Sequence, residues 1–156
     1  MMKKILQYLF LACFFISLMA CDSKRVYEQN VDIPDYIWDK ENPIYFDVPI
    51  VDTISLNNVY INIRNASGYG YSNIYLFLDT KYPDNTISRD TIECILADPA
   101  GKWLGDGSGD IWDNQILFKK NVRFKQIGTY KFRYEQAMRI PKLPMIMDVG
   151  LRIEKQ

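Results

Sequence analysis

Three stretches of this chain alternate apolar and polar residues with period two, and no stretch sustains a helical period. Val59, Ile61 and Ile63 alternate with Tyr60, Asn62 and Arg64. Tyr130, Phe132 and Tyr134 alternate with Lys131, Arg133 and Glu135, and Val149, Leu151 and Ile153 with Gly150, Arg152 and Glu154. A strand sends successive side chains to opposite faces, so each segment buries one face and wets the other, as antiparallel sheets do. Ile74 to Leu78 is apolar on both faces and predicts a central strand. Ile44 to Ile50 and Gln115 to Phe124 add two more, the second bent or bulged. Turn chemistry separates them at Asn65-Ala66-Ser67-Gly68, Tyr82-Pro83-Asp84-Asn85, Asp98-Pro99-Ala100-Gly101 and Gln126-Ile127-Gly128. The best helical stretch, Gln136 to Ile140, is about one turn long and is stopped by Pro141. Roughly seven or eight strands at this spacing predict an all-β chain, a single antiparallel β-sandwich over residues 34–156. Immunoglobulin-like and jelly-roll orders both remain open.

The N-terminus sets the location. Lys3 and Lys4 precede a largely apolar run from Ile5 to Ala20. That run is short for a membrane span, which takes about 20 residues, and it fits a secretory signal peptide over residues 1–20. It ends Leu18-Met19-Ala20-Cys21, a lipobox. The pattern resembles bacterial lipoprotein precursors. The resemblance implies cleavage before Cys21, a diacylglycerol on its thiol and an acyl chain on its new amine. Two or more acyl chains hold a protein on a bilayer without a transmembrane helix. Residues 21–33 are mostly polar and read as the lipidated N-terminus and a tether.

Cys13 leaves with the signal and Cys21 takes the lipid, so Cys94 is the remaining thiol and no internal disulfide can form. Alternation puts Cys94 beside Ile92 and Leu96 on one face, as a small buried hydrophobe. The chain has no histidine, which removes the commonest general base and metal ligand. No Ser-His-Asp or Cys-His arrangement can be built, and zinc lacks its usual donors. No spacing marks out a carboxylate pair for acid–base work. The expectation is a protein that is not an enzyme and takes no cofactor beyond its covalent lipid. No basic cluster points to nucleic acid.

The stretch GDGSGDIWDN, Gly105 to Asn114, packs acids, glycines and a tryptophan together. As an EF-hand loop it fails. From Asp106 the first, third and fifth positions are Asp106, Ser108 and Asp110, but the sixth is Ile111 and the twelfth Leu117, where glycine and glutamate belong. Calcium held with help from backbone carbonyls stays open. Trp103 and Trp112 beside Asp110, Asp113 and Asn114 have the materials of a sugar site, and equally of a cover over the open end of a sandwich. Tyr69 and Tyr71, in Ser67-Gly68-Tyr69-Gly70-Tyr71, extend the set. The candidate contact surface is Tyr69, Tyr71, Trp103, Asp110, Trp112 and Asp113, since tyrosine and tryptophan carry much of the energy of interfaces.

Four long stretches, together with the lipobox, are similar to the gliding-motility lipoprotein H family of Bacteroidota (GldH). They are NIYLFLDTKYPD, Asn73 to Asp84; ADPAGKWLGDGSGDIWDN, Ala97 to Asn114; VRFKQIGTYKFRYEQAMR, Val122 to Arg139; and LPMIMDVGLRIEK, Leu143 to Lys155. The resemblance implies a lipid-anchored cell-envelope protein, a non-enzymatic accessory of the gliding machinery, whose other members overlap with type IX secretion. Its partners would be the membrane, through the anchor, and other envelope proteins of that machinery. The alternative is a module that binds an envelope glycan. Surface-exported lipoproteins of this phylum resemble one another in an acidic run just after the acylated cysteine. Here the residues are Asp22, Ser23, Lys24 and Arg25. The run is missing, so the domain is expected to face the periplasm, on either membrane.

Overall fold

The computed structural model describes residues 23–156, and the expected signal peptide and Cys21 lie outside them. The described chain contains eight long strands and three short ones. The long ones are β1 (Arg25–Asp32), β3 (Ile44–Ile50), β4 (Asn57–Ala66), β5 (Asn73–Lys81), β6 (Ile87–Ile95), β8 (Ile111–Val122), β9 (Gly128–Gln136) and β11 (Ile146–Lys155). The short ones are β2 (Ile37–Asp39), β7 (Asp106–Ser108) and β10 (Lys142–Pro144).

Their pairing resolves the open question of strand order. One sheet runs β1-β11-β4-β8-β7 and the other β3-β9-β5-β6. Counting only the long strands, the first sheet holds the first, eighth, third and sixth, and the second sheet the second, seventh, fourth and fifth. That is a jelly roll. It follows from one ribbon: β1 pairs β11, β3 pairs β9, β4 pairs β8 and β5 pairs β6, all antiparallel. Wrapping that ribbon brings β11 against β4 and β9 against β5. Phe46, Ile61, Ile63, Leu76, Leu78, Tyr134 and Leu151 meet between the sheets, each 1% exposed or less. Fully burying one such side chain contributes about 1.5–3 kcal/mol. The alternation read from β4, β9 and β11 is the source of this core. β5 is central, as expected, with Ile74, Leu76 and Leu78 inward. Its other face is not buried to match: Tyr75 is exposed, and Phe77 lies under the Arg89 guanidinium at 5.4 Å.

The tether expected over residues 21–33 is instead mostly strand. Arg25–Asp32 forms the edge strand β1 against β11, from Arg25 opposite Glu154 to Asp32 opposite Asp148. Only Tyr27 and Val31 of β1 are even half-buried. The strand is held by its backbone ladder, so its composition reads as a solvated segment. The short helix expected at Gln136 to Ile140 is a bend. Gln136 is fully buried, and its side-chain amide donates to the carbonyls of Ile140 (3.0 Å) and Pro141 (3.1 Å) while its Oε1 accepts from the Met138 amide (2.9 Å). That side chain takes the backbone groups a helical turn would have paired. The bulge expected in the Gln115–Phe124 segment is present. Opposite β4 the register of β8 slips twice, between Asn57 and Tyr60, and Asn121 takes φ 58°.

The strands define two ends. Ser23–Arg25, the Val51–Leu56 loop, the Tyr82–Thr86 turn, the Val122–Ile127 loop and Lys155 gather at one, called the anchor end after the lipid expected on Cys21. The Ala66–Ser72 and Ala97–Gly105 loops, the β7–β8 turn and the β2–β10 ribbon gather at the other, the far end.

Candidate functional site

The stretch Gly105 to Asn114 is a β-hairpin. Asp106 faces Asp113, Gly107 faces Trp112 and Ser108 faces Ile111, leaving Gly109-Asp110 as a two-residue turn. Gly109 has φ +81° and Asp110 does not share the positive sign, so glycine holds the one position that needs it. Gly107 answers a different demand, close approach. A Cβ there would stand 2.1 Å from the Ile111 carbonyl oxygen and 3.0 Å from the Trp112 ring.

All six candidate contact residues lie at or beside the far end, but the pleat divides them. Tyr69 is buried, 4% exposed, and its hydroxyl donates to the Asn73 carbonyl at 2.9 Å. Burial, then the nearby Tyr71, pushes its pKa well above the ordinary phenol value. Tyr71, 41% exposed, meets the Tyr69 ring edge-on at 5.6 Å, and half-buried Trp103 lies 6.4 Å from Tyr69, its ring tilted by 43°. These three form one aromatic group. Trp112 joins the end from β8: its indole N–H donates to the Ser67 hydroxyl at 2.9 Å, and the Asp110 carbonyl accepts from the Ser67 amide at 2.8 Å. Asp113 is one residue on and therefore on the opposite face of the sheet, where Arg64 donates to it. Asn114 turns inward again and is occupied, donating to the Ile63 carbonyl (3.0 Å) and to Asn65 Oδ1 (2.9 Å).

The outer face of the larger sheet carries a polar groove of about 310 Å³ that includes Asn30, Asn62, Arg64, Asp113, Gln115 and Asp148. The register explains it. Asp32, Asp148, Arg64, Asp113 and Asp106 form one row across five strands. Asn30, Gly150, Asn62 and Gln115 form the next. Gly150 leaves room for Asn30 to lean across and accept from Asn62 at 3.2 Å; a Cβ on Gly150 would sit 1.8 Å from that oxygen. Arg64 is the central cation. Its hydrogen bond with Asp113 raises its pKa, and its Nη1 lies 3.1 Å from Asp148 Oδ2. Asp148 is 4% exposed, and burial raises its pKa; Arg64 opposes that rise while Asp113 and Asp32 add to it. Two of the row's acids are thus held by Arg64. Among the described residues no three His, Cys, Asp or Glu side chains gather to hold a metal ion. Alternation exposes Tyr60, Asn62 and Arg64 in the sequence, but which strands flank them, and hence the rows, needs the jelly-roll order.

Cys94 is fully buried, with its thiol pushed up to about 12 by burial and then by Glu93, so it is an inert core residue as expected. At the anchor end a cleft of about 330 Å³ opens between the sheets. Phe118, Val122 and Phe132 line it, with Lys119, Arg123 and Lys125 among its polar residues. The sequence marks two turns of this end, at Tyr82–Asn85 and Gln126–Gly128, but nothing in it singles the end out as a surface.

A family model for GldH lipoproteins matches residues 25–153. A gliding motility lipoprotein GldH homolog from Christiangramia forsetii is 38% identical over 154 residues, covering 94% of each chain. The gliding motility lipoprotein GldH of Flavobacterium johnsoniae is 32% identical over 148 residues, covering 90% of this chain and 91% of that protein. The family match begins at Arg25, where β1 begins.

Proposed function

The chain belongs to the GldH lipoprotein family, and from that premise we propose that it is a non-enzymatic accessory protein of the gliding and type IX secretion machinery. It is anchored by lipid on Cys21, faces the periplasm, and docks an envelope protein through its far end. The observation that carries the docking role is the placement of Tyr71. It is exposed beside Tyr69 and Trp103, at the end of the sandwich opposite the strand ends that lead to Cys21. An aromatic group held rigid by its neighbours suits an interface with a protein. A glycan site would set a flat ring beside free hydrogen-bonding groups. Here Trp112 and Asp113 stand on opposite faces and Asn114 is bonded internally, so the arrangement favours protein.

A photo-crosslinking amino acid in place of Tyr71, in cells making the lipidated chain, tests this. Repeated capture of a gliding or secretion component, lost in a Cys21→Ala chain, is the expected result. Capture of no such component, with heat released on titration of envelope glycans, would replace this reading with the glycan one. Digestion of the domain by protease added to intact cells would refute the periplasmic orientation.

A further inference from the structure

We propose that the anchor end of the domain is itself a membrane-docking face, which seats the sandwich on an anionic bilayer surface. The inference rests on lipidation at Cys21 as proposed above. Cys21 is two residues from Ser23, and two residues reach at most about 7 Å. A lipid there brings this end, and no other, to the bilayer.

The end is built for contact with lipid. Val51 and Ile54 are each 81% exposed and Ile127 is 68% exposed. Ile50 pairs with Gly128, so Val51 and Ile127 leave the sheet side by side. The loop that displays Val51 and Ile54 is braced rather than loose. Asp52 accepts from the amides of Ile54 (2.8 Å) and Ser55 (3.0 Å), from the Ser55 hydroxyl (2.6 Å) and from the Lys155 ammonium (2.8 Å). Those bonds hold the Asp52 carboxyl far below the usual carboxylate range, the Lys155 bond first. The acid is therefore neutralised by Lys155, and Asp84 at the same end is bonded to Thr86 and Gln126.

Lys24, Arg123 and Lys125 are exposed at this end, and no acid among the described residues pairs with them. The far end is mixed in sign, with Asp35, Glu41, Asp98 and Asp110 interspersed with Lys40, Lys102, Arg139 and Lys142, all of them exposed or half-exposed. Exposed aliphatic tips ringed by unpaired cations, on the end nearest a lipid, fit the headgroup region of an anionic membrane, where each Lys or Arg adds attraction.

The test uses the full lipidated chain in vesicles of phosphatidylethanolamine and phosphatidylglycerol, with a spin label on Ile54→Cys. Cys94 is buried and Cys21 is acylated, so the label is site-specific. A second label at Ala100→Cys, at the far end, is the aqueous reference. The expected result is a label at 54 that is exposed to oxygen and shielded from a water-soluble relaxant, with one at 100 that is not shielded. Arg123→Glu with Lys125→Glu should return position 54 to water and weaken the seated state by at least about thirtyfold, from roughly one kcal/mol per cation. A chain that floats with the vesicles while position 54 is as wet as position 100 would overturn docking and leave the anchor intact. A chain that does not float would overturn both. Shielding of 54 in native envelopes but not in pure lipid would assign the face to a protein and overturn the lipid reading.

Discussion

Tyr134→Phe should make this protein more stable. Tyr134 lies two residues from the end of β9 with no exposed surface, its ring edge-on to Phe46 at 5.0 Å. Its hydroxyl has no hydrogen-bond partner among the described residues, and burial carries its pKa well above the ordinary value. A buried polar group without a partner costs about 1–3 kcal/mol. Removing the oxygen lifts that cost and keeps the ring. It leaves a void of roughly 15 Å³, worth about 0.4 kcal/mol at ~24 cal/mol per Å³. The expected net gain is therefore about 0.5–2.5 kcal/mol. Urea titration of the mature chain carrying Cys21→Ala, followed by tryptophan fluorescence, measures it. With a slope of about 1–3 kcal/mol/M, the midpoint should rise by roughly 0.2–2.5 M, about 0.7 M at the middle of both ranges, at unchanged slope. A midpoint that falls by the equivalent of about 1 kcal/mol would refute the reasoning. It would mean that the hydroxyl is bonded in the folded protein, through a buried water.

Gly107→Ala should open the β7–β8 hairpin, because the new methyl meets the Ile111 carbonyl at 2.1 Å. A loss of about 1–3 kcal/mol and a red shift of tryptophan emission are expected, whereas Gly70→Ala, with nothing within 4 Å, should change stability by no more than about 0.5 kcal/mol. Cys94, pushed up to about 12 and fully buried, should react with a thiol reagent at pH 8 only on unfolding. Labelling of the native chain at the rate of a free thiol would contradict that. Asp79 accepts from Arg89 and Arg133, and the Arg89 bond first lowers its pKa. Its stabilisation is present above the unfolded value of about 3.9 and is lost as pH falls through the lowered one. Asp79→Asn should therefore flatten the acid limb of a stability–pH curve. Asp148 acts with the opposite sign: its raised pKa makes the native state hold a proton that the unfolded chain has released. Stability from this group falls as pH rises from about 3.9 through the raised value, and Asp148→Asn should remove that fall.

Local rules were enough for much of this fold. Period two located β4, β9 and β11 and gave the inward faces, since each side chain's face is fixed by its place in the pleat. Turn chemistry located the Asp98 turn, where Asp98 Oδ1 accepts from the amides of Ala100 and Lys102 at 2.9 Å. Two errors share a cause. Neither β1 nor the Gln136 bend is set by periodicity: β1 is held by an edge ladder to the sequence-distant β11, and the bend by one buried side-chain amide that bonds Met138, Ile140 and Pro141. The candidate site was legible as a set of residues but not as an arrangement. Adjacent residues Trp112 and Asp113 read as one surface in a loop, and the hairpin turns them to opposite faces. The Asp32-to-Asp106 row draws on four non-adjacent strands and β7, so it exists only once the ribbon has wrapped.

The displacement of the tether by a strand changes how the domain can work. Thirteen tether residues would give about 40 Å of slack and leave orientation free. The sheet instead holds the chain from Lys24, whose carbonyl accepts the Lys155 amide at 2.8 Å. A lipid on Cys21, as proposed, would then join the sandwich through only Asp22 and Ser23. The ten residues of β4 at roughly 3.3 Å each set the far end about 33 Å from the anchor end. If Tyr71 and Trp103 dock a partner as proposed, so short a link sets the height of that contact by the length of the strands. Seating of the basic, apolar-tipped anchor end, as proposed above, would make that height reproducible. The acidic row on the outer face then stands away from an anionic surface, which is the orientation that repulsion would also select. On these proposals seating and contact are two consequences of one strand order, because β1, β4, β8 and β11 each have an end on the side from which the chain leads back to Cys21.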